Sequence, residues 1–426
     1  MKNTLQNVLA FFAVRILKLY APTIVGITGS LGKTSTKSVM YHILEKHCTV
    51  RKSAKNYNNE IGVPLTIIGA MIPKHPLLWV RVFAYAFWLL LVKKKGYPNL
   101  LILEMGIDRP KDMDYLLTIV RPDIGVLTSI AEVHTEFFRR YESLVKEKHK
   151  LPLMVPEQGM VILNADYEEV IKVKEKLKCR VKTYGFSEGV DVRAVEVKIV
   201  YDSEKNTILG TNFKLVYRKA LVPMFLPGTI GRHNLYAVMA GAVLAFEFKL
   251  NGIQIADTLS TYEVPPGRMK IVNGEQSSII IDDTYNAAPE SMKIALSTIA
   301  DIETKKRKIA VLGDMLELGD IYEQSHKDIG KLAARIVRVL VTVGEGGKLI
   351  AEAAIKSGGI LKENVCSFET SDQAGEWLRE HLREGDIILI KGSQAIRMEK
   401  CVKQIMKEKE KSHTLLVRQE TQWLKR

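Results

Sequence analysis

The 426-residue chain has few cysteines, and they lie far apart in the sequence. Cys48, Cys179, Cys366 and Cys401 form no CxxC pair and show no metal-ligand spacing. This pattern argues against a disulfide-stapled secreted fold and against a zinc site, and it predicts free thiols in a reducing cytoplasm. The length predicts two or three domains, each large enough to bury its own core.

The chain also lacks an acidic surplus, since its formal net charge is +14. A basic protein can bind nucleic acid, an anionic membrane or acidic ligands. No RNA-recognition or zinc-finger signature is present, so we expect no nucleic-acid partner. Phosphate ligands and an anionic membrane surface fit better, and part of the charge is expected to be solvated, as in the tail 407–426.

No hydrophobic run is long enough to span a bilayer with ease, but two apolar segments stand out. Residues 4–20 have helical apolar spacing, and Arg15 interrupts the run that a signal peptide would need. Residues 77–92 are apolar almost all round and are followed by Lys93–Lys95. As a helix they would cover about 24 Å, less than a hydrocarbon core of about 30 Å. An interfacial helix on an anionic membrane, a buried helix and a surface for a partner protein all remain open.

The remaining sequence alternates between strand and helix patterns, which predicts parallel α/β sheets. Core strands are predicted in the first part at 23–28, 100–105 and 124–129, and antiparallel strands within 190–226. A helix is predicted from Asn234 to Phe248. After a linker-like stretch near 262–268, strands are predicted again at 279–282, 309–312, 339–343 and 387–390.

The segment from Gly26 onward, GITGSLGKTSTK, lies between the first predicted strand and a helix. Glycines and the backbone N–H groups of a helix start suit phosphate binding, and Lys33 and Thr34 suit the outer phosphates and magnesium. Ile27 stands where the strict pattern has its first glycine. The predicted ATP-contacting residues of this loop are Gly29, Ser30, Gly32, Lys33, Thr34 and Ser35.

Later motifs extend the pattern along the chain. In order these are NYNNEIGVPLTI, LEMGIDRPKDMDYL, GRHNLYA, PPGRMKIV, DDTYNAAPESM, AVLGDMLELG and IKGSQAIRMEK. Together with the phosphate loop they resemble the Mur ligases over roughly 21–405, and DDTYNAAP and GDMLELG resemble the branch that adds D-alanyl-D-alanine. The resemblance implies an enzyme that uses ATP to activate a carboxylate as an acyl phosphate and couples it to an amine.

The resemblance also implies a fold and the boundaries of its domains. A central P-loop NTPase-like α/β domain with a mostly parallel sheet (21–261, with an apolar insertion at about 71–98) precedes a Rossmann-like α/β domain (262–410). An amphipathic helix (1–20) and a basic tail (411–426) flank them. Only about 20 residues precede the first strand, so we expect the UDP-sugar-binding domain that usually comes first in the family to be missing.

Three residues are implied to carry the metal chemistry with Lys33 and Thr34. Glu104 ends a predicted strand, where a buried carboxylate needs a partner or a metal. His134 is implied to support a second magnesium ion. Lys148 is implied to become a carbamate ligand, with Lys146 as second choice, because its neutral amine can react with carbon dioxide.

The resemblance places ATP between the two domains, where closure would exclude water. The implied nucleotide contacts are Asn234, Arg268, Tyr285, Asn286 and Asp314. The implied substrate contacts are Asn58 and Asn59 for a muramyl tripeptide or related carboxylate, and Lys391, Ser393 and Arg397 for D-alanyl-D-alanine. The expected location is the cytoplasm, with peripheral contact to the inner face of the membrane or to a partner protein through 4–20 and 77–92.

Two other functions stay open from the sequence. A folylpolyglutamate-type or other amino-acid ligase would act on a non-UDP or lipid-linked carboxylate. A nucleotide-binding scaffold would have lost catalysis. The spelling of DDTYNAAP argues against the first, and the presence of Lys33, Glu104 and Asp314 argues against the second.

Overall fold

The computed structural model describes residues 2–54, 57–73, 75–131, 137–138 and 140–424. Its helices are α1 (Lys2–Tyr20), α2 (Lys33–Leu44), α3 (Gly62–Ile68), α4 (Trp79–Leu91), α5 (Asp112–Ile119), α6 (Tyr141–Leu153), α7 (Glu168–Ile171), α8 (Arg232–Glu247), α9 (Gly252–Leu259), α10 (Pro289–Ala300), α11 (Tyr322–Ile336), α12 (Glu345–Lys356), α13 (Ser371–His381), α14 (Glu399–Ile405), α15 (Ser412–Leu415) and α16 (Thr421–Leu424). Its strands are β1 (Thr23–Thr28), β2 (Val50–Lys52), β3 (Leu100–Glu104), β4 (Ile124–Leu127), β5 (Met160–Asn164), β6 (Arg180–Gly185), β7 (Val192–Asp202), β8 (Thr207–Tyr217), β9 (Ala220–Pro227), β10 (Lys270–Asn273), β11 (Ile279–Asp283), β12 (Lys308–Gly313), β13 (Val339–Val343), β14 (Val365–Phe368) and β15 (Ile387–Lys391).

The first sheet has nine strands in the order β2-β3-β1-β4-β5-β6-β7-β8-β9. Strands β2 to β7 pair in parallel, and β7, β8 and β9 form an antiparallel extension. Strand β1 lies between β3 and β4, so the loops after these three strands meet at one edge of the sheet. That edge is where open α/β sheets place their ligands.

The second sheet has six strands in the order β10-β11-β15-β12-β13-β14, and only β10 is antiparallel. The predicted core strands of both halves appear as β1, β3, β4, β11, β12, β13 and β15. The expected fold class is therefore confirmed: a mostly parallel α/β sheet is followed by a second, Rossmann-like α/β unit. The sequence analysis did not predict strands β2, β5, β6, β10 and β14.

Helices cover both faces of the first sheet. On one face α2 and α8 pack into a core with Val39, Ile43 and Leu244. On the other face α1 buries Leu9, Ala13 and Ile16 completely against α3 and α4. The apolar spacing of 4–20 thus encodes a helix whose inner face closes a protein core.

Helix α4 has a buried inner face and an exposed apolar outer face. Val82, Ala86 and Leu89 are buried, while Val80 and Leu91 are each 68% exposed. Within the described residues no helix is long and apolar enough to cross a membrane.

The C-terminal segment differs from the expected solvated basic tail. Leu416 is buried in the core of the second domain, and Arg418 is 8% exposed. Its guanidinium donates to Glu399 Oε2 at 2.8 and 3.1 Å and to the backbone oxygens of Thr284 and Tyr285. Part of the tail's charge is therefore internal, because a buried carboxylate on α14 needs a counter-charge.

We predict that Glu399→Gln lowers the free energy of unfolding of the second domain by about 3 kcal/mol, because Arg418 and Arg397 then lose their shared buried counter-charge. Urea denaturation followed by circular dichroism measures it. The control Glu410→Gln changes an exposed glutamate of the same segment and should stay within about 0.5 kcal/mol of the wild type. Equal stability of the two variants would contradict the prediction.

Candidate functional site

The loop between β1 and α2 has the geometry of a phosphate-binding loop. Gly29 has φ 145°, and a Cβ there would lie 2.0 Å from Thr128 Oγ1, so this position requires glycine. Gly32 has φ 80° and directly precedes α2. Backbone and side-chain bonds from Ser30 and Leu31 to Ser129 tie the loop to the end of β4. The N-terminus of α2 is thereby held at the sheet edge, where its N–H groups attract anions.

The side chain of Lys33 folds back onto this loop. Its Nζ donates to Gly29 O at 2.6 Å and to Ser30 O at 3.1 Å. Burial lowers the pKa of Lys33, and the Arg268 charge lowers it further, while Glu104 and Asp108 oppose the shift. The ammonium group therefore lies among charges of both signs, at the place where a triphosphate would meet the loop.

Glu104, the last residue of β3, is almost fully buried among cations and polar groups. Its carboxylate accepts from Thr34 Oγ1 at 3.2 Å and from Asn58 Nδ2 at 3.4 Å, and it forms an ion pair with Lys37 Nζ at 2.9 Å. Burial alone raises the pKa of Glu104, but Lys37 and Lys33 outweigh it and hold the pKa below its usual value. The carboxylate is thus ionised and next to the threonine hydroxyl.

Lys148 lies in α6 and is 2% exposed, whereas Lys146 on the same helix is exposed. Burial lowers the pKa of Lys148 well below its usual value, and the charge of Lys33 lowers it further, against Asp108 and Glu147. The amine is therefore neutral far more readily than a surface lysine. Of the two lysines considered from the sequence, Lys148 is the buried one, and its carbamylation stays a prediction.

Arg268, in the linker between the domains, lies close to the phosphate loop. Its charge acts on both Lys33 and Glu104, and its guanidinium stacks on the Tyr285 ring at 3.7 Å. Arg268 Nε is buried and has no hydrogen-bond partner among the residues that the structure describes. A buried donor without a partner is costly, and a phosphate oxygen would satisfy it.

Asn234, near the start of α8, is buried beside this linker. Its Nδ2 donates to Ile230 O at 2.9 Å and to Arg268 O at 3.5 Å, while Oδ1 is buried and finds no partner within the described part of the chain. The adjacent His233 is neutral at neutral pH, because burial lowers its pKa to about 4. An amide oxygen that lacks a donor suits the exocyclic amine of a nucleotide base.

The second domain contributes a loop after β11 and a loop after β15. Lys391 Nζ forms an ion pair with Asp283 at 2.6 Å and donates to Asn286 O at 2.9 Å. Asn286 Oδ1 accepts from Gln394 N at 3.3 Å. Lys391 and Asn286 therefore hold these two loops together.

Asp314 follows β12 and lies beside the same loops. Its Oδ1 accepts from Gly347 N at 2.7 Å, its backbone oxygen accepts from Ser393 N at 2.9 Å, and burial raises the pKa of its carboxyl. Ser393 Oγ in turn accepts from Leu316 N at 2.9 Å. Ser393 thus links the ends of two neighbouring strands, and a substrate contact at Ser393 stays a prediction.

Two further residues proposed for substrate binding have local structural partners. Asn59 Oδ1 accepts from Ile61 N and Gly62 N, and so starts α3. Arg397 donates to Glu399 at 2.5 Å and to Trp423 O at 2.8 Å.

Ser35 is buried in the first turn of α2. His134 lies outside the described residues.

The site contains residues that the sequence analysis missed, chiefly Lys37, Asp108 and Ser129. Lys37 follows Lys33 by four residues, the spacing that puts two side chains on one helix face, and this signal was available. Asp108 and Ser129 lie in loops that the fold brings to the site. No residue spacing in the sequence predicts this placement. Ser53 was also missed, and its Oγ accepts from Glu104 N at 3.1 Å.

The residues present fit magnesium and a nucleotide. Within the described part of the chain no three His, Cys, Asp or Glu side chains cluster as a metal site. An ionised carboxylate beside a threonine hydroxyl at a phosphate loop is nevertheless the donor set that magnesium uses when phosphates and waters supply its other ligands. The unpartnered atoms of Arg268 and Asn234 fit a phosphate and a base.

Comparison with known proteins agrees with this geometry. Residues 27–73 and 88–245 match the Mur ligase middle domain, and 267–394 match the Mur ligase glutamate ligase domain. The UDP-N-acetylmuramoyl-tripeptide–D-alanyl-D-alanine ligase of Bacillus subtilis is 30% identical over 385 residues, which cover 90% of this chain and 76% of that protein. The ligase of the same name from Mycobacterium tuberculosis (strain CDC 1551 / Oshkosh) is 32% identical, with 88% and 71% covered.

Solved structures show the same relationship. The MurF ligase of Thermotoga maritima in complex with ADP superposes with a TM-score of 0.77 at 25% identity, over 95% of this chain and 84% of that one. Folylpolyglutamate synthase of Mycobacterium tuberculosis shares the fold, with a TM-score of 0.64 at 13% identity, over 92% and 94% of the two chains. Because both domains match and relatives align along most of its length, the chain belongs to the Mur ligase family of ATP-dependent, ADP-forming ligases.

Proposed function

We propose that this ligase adds D-alanyl-D-alanine to the peptide carboxylate of a UDP-N-acetylmuramoyl tripeptide in the cytoplasm, a step of peptidoglycan synthesis. Relatives at 30% and 32% identity carry that name. The observation that carries the proposal is the buried Glu104 carboxylate, held between Thr34, Asn58 and the lysines of the phosphate loop. It joins the nucleotide site to the loop expected to face the muramyl peptide.

The nucleotide is held by groups from both domains. Lys33 and the N-terminus of α2 bind the phosphates, Arg268 reaches them from the linker, and Asn234 Oδ1 accepts from the base. Tyr285, Asn286 and Asp314 complete the contacts from the second domain, Asp314 at the ribose. Thr34 and Glu104 would hold magnesium, which neutralises the developing charge on the transferred phosphoryl group when it is bound.

The reaction then follows from positioning. The carboxylate of the tripeptide attacks the γ-phosphorus, which gives an acyl phosphate and ADP. The amine of the dipeptide attacks the acyl carbon, the amide bond forms and phosphate leaves. Asn58 orients the first substrate, and the loops of Lys391 and Ser393 lie where the dipeptide would enter. Closure of the two domains keeps water from the acyl phosphate.

A carbamate on Lys148 forms part of the proposal. The burial of Lys148 and the nearby charge of Lys33 lower the pKa of the amine well below its usual value, which favours the neutral form that reacts with carbon dioxide. Carbamylation converts a lysine cation into an anion. It thereby supplies the negative charge that a second magnesium ion, supported by His134, would need beside Glu104.

The proposal also includes a contact made by 4–20 and 77–92 with a membrane or a partner protein at the cytoplasmic surface. The support is the apolar exposure of α4, on which Val80 and Leu91 are each 68% exposed. This contact is separate from the chemistry.

We expect ADP release from ATP only when magnesium, D-alanyl-D-alanine and UDP-N-acetylmuramoyl tripeptide are all present. Lys33→Ala should lower the rate by about 100-fold or more, because it removes a cation from the transferred phosphate. A coupled assay for ADP measures both. An exposed lysine on the second domain, Lys331→Ala, serves as the control and should keep the wild-type rate.

ADP release that occurs when one of the two substrates is left out would contradict the proposed reaction. No release with the soluble tripeptide, despite ATP binding, would point to another carboxylate, including a lipid-linked one.

We predict that protein equilibrated with ¹³C-bicarbonate shows a carbamate carbon signal that is absent from Lys148→Arg and retained in Lys146→Arg. The reason is that burial lowers the pKa of Lys148 and so favours its reactive neutral amine, while Lys146 is exposed on the same helix. Carbon-13 NMR measures it. A signal that survives in Lys148→Arg, or that is absent from the wild type, would show that Lys148 carries no carbamate.

We predict that Asn234→Ala weakens ATP binding by about tenfold, which corresponds to one hydrogen bond of about 1.4 kcal/mol. Inosine triphosphate lacks the exocyclic amine and serves as the matched ligand, so its affinity should change little. Titration calorimetry with each nucleotide measures the difference. An equal loss for both nucleotides would mean that Asn234 supports the linker rather than reads the base.

A further inference from the structure

The outer face of α4 is apolar, continuous and exposed. It consists of Val80, Arg81, Ala84, Phe87, Trp88 and Leu91, and it is extended by Leu77 in the turn before the helix; all seven are exposed and recur every three or four residues. Apart from Arg81 these side chains are apolar. The face is about 22 Å long at 1.5 Å per residue. Soluble proteins rarely expose an apolar stripe of this length unless a partner or a membrane covers it.

Helix α1 lies beside α4 and runs in the same direction. Phe12 stacks on Phe83 at 6.2 Å, and eight residues later in α1 the Tyr20 hydroxyl donates to Leu89 O and accepts from Lys94 N, both at 2.9 Å. The exposed residues of α1 include Val8 and Phe11, followed by Arg15 and Lys18. Both helices therefore have exposed apolar residues followed by basic residues, and their basic ends lie together.

The charge of this region has one sign. Residues 1–20 and 71–98 together contain eight lysines and arginines and no aspartate or glutamate. Lys93, Lys94 and Lys95 are all exposed at the end of α4. Two copies of the chain paired through this face would bring like charges together, which disfavours a dimer. An anionic surface is complementary to it.

The sequence comparison separates this region from the rest of the domain. The match to the Mur ligase middle domain is interrupted between residues 73 and 88, which covers most of the outer face of α4. The fold does not need these exposed side chains, because Val82, Ala86 and Leu89 already close the core.

We propose that the outer face of α4, with the exposed residues of α1 and Lys93–Lys95, docks on an anionic phospholipid bilayer. The apolar side chains enter the interface, Trp88 lies at the headgroup level, and the lysines contact anionic headgroups. The segment that leads to α4 contacts the loop that carries Asn58, since Ile72 N donates to the Tyr57 hydroxyl at 2.8 Å. The ligase thus works at the membrane surface, next to its substrate loop.

The test is flotation of the full chain with vesicles of phosphatidylcholine containing phosphatidylglycerol, and with pure phosphatidylcholine. The wild type should float with the anionic vesicles, and the floated fraction should fall several-fold in pure phosphatidylcholine and at high salt. Val80→Glu/Leu91→Glu should remove flotation. Ile253→Glu/Leu361→Glu, two exposed aliphatic residues elsewhere, should float as the wild type does.

Two further measurements keep the result interpretable. Thermal unfolding and the rate of ADP release must be unchanged in Val80→Glu/Leu91→Glu, because neither residue is in the site. Sedimentation velocity without vesicles shows whether the wild type is a dimer that the substitutions dissociate. The proposal would be overturned if the wild type stayed in the soluble fraction or floated equally well with anionic and neutral vesicles. A dimer formed through this face would also overturn it. None of these outcomes depends on which substrates the enzyme uses.

Discussion

The ionised carboxylate of Glu104, buried at the end of β3, is the constraint on which the site depends. A charge removed from water must be compensated, and here Lys37, Thr34 and Asn58 all bond to it. These partners come from two different segments of the chain, so the balance of charge fixes the start of α2 and the loop that carries Asn58 together. The linker residue Arg268 adds a charge from between the two domains.

Much of this arrangement could be predicted from the sequence. The strand, glycine turn and helix around Lys33 are local, and the acidic end of β3 follows from a run of buried residues. Lys37 was missed although its spacing from Lys33 was available, because a lysine on a helix is usually solvated; the ion pair with Glu104 is a contact between distant parts of the sequence. Arg418 was missed for a similar reason: its partner Glu399 is close in space, yet nothing in the charged tail distinguishes it from its exposed neighbours.

Helix α4 shows how one sequence feature can have two physical roles. Its all-round apolar character left a buried helix, a membrane helix and a partner surface open. The structure divides these roles between its faces, with Val82, Ala86 and Leu89 in the core and the opposite stripe exposed. Periodicity could not separate them, because both faces are apolar. The direction of α1 and the contact of Tyr20 with Lys94 are visible only in the three-dimensional structure, because they join segments that are distant in the sequence.

The most direct test of the account is whether Glu104 links magnesium to nucleotide binding. Titration calorimetry would compare ADP binding with excess magnesium and with a chelator, for the wild type and for Glu104→Gln. We expect that magnesium tightens ADP binding in the wild type and gives little gain in the variant, because the amide cannot replace an ionised carboxylate beside Thr34. An equal magnesium effect in both proteins would show that Glu104 serves only to pair Lys37 and does not hold magnesium.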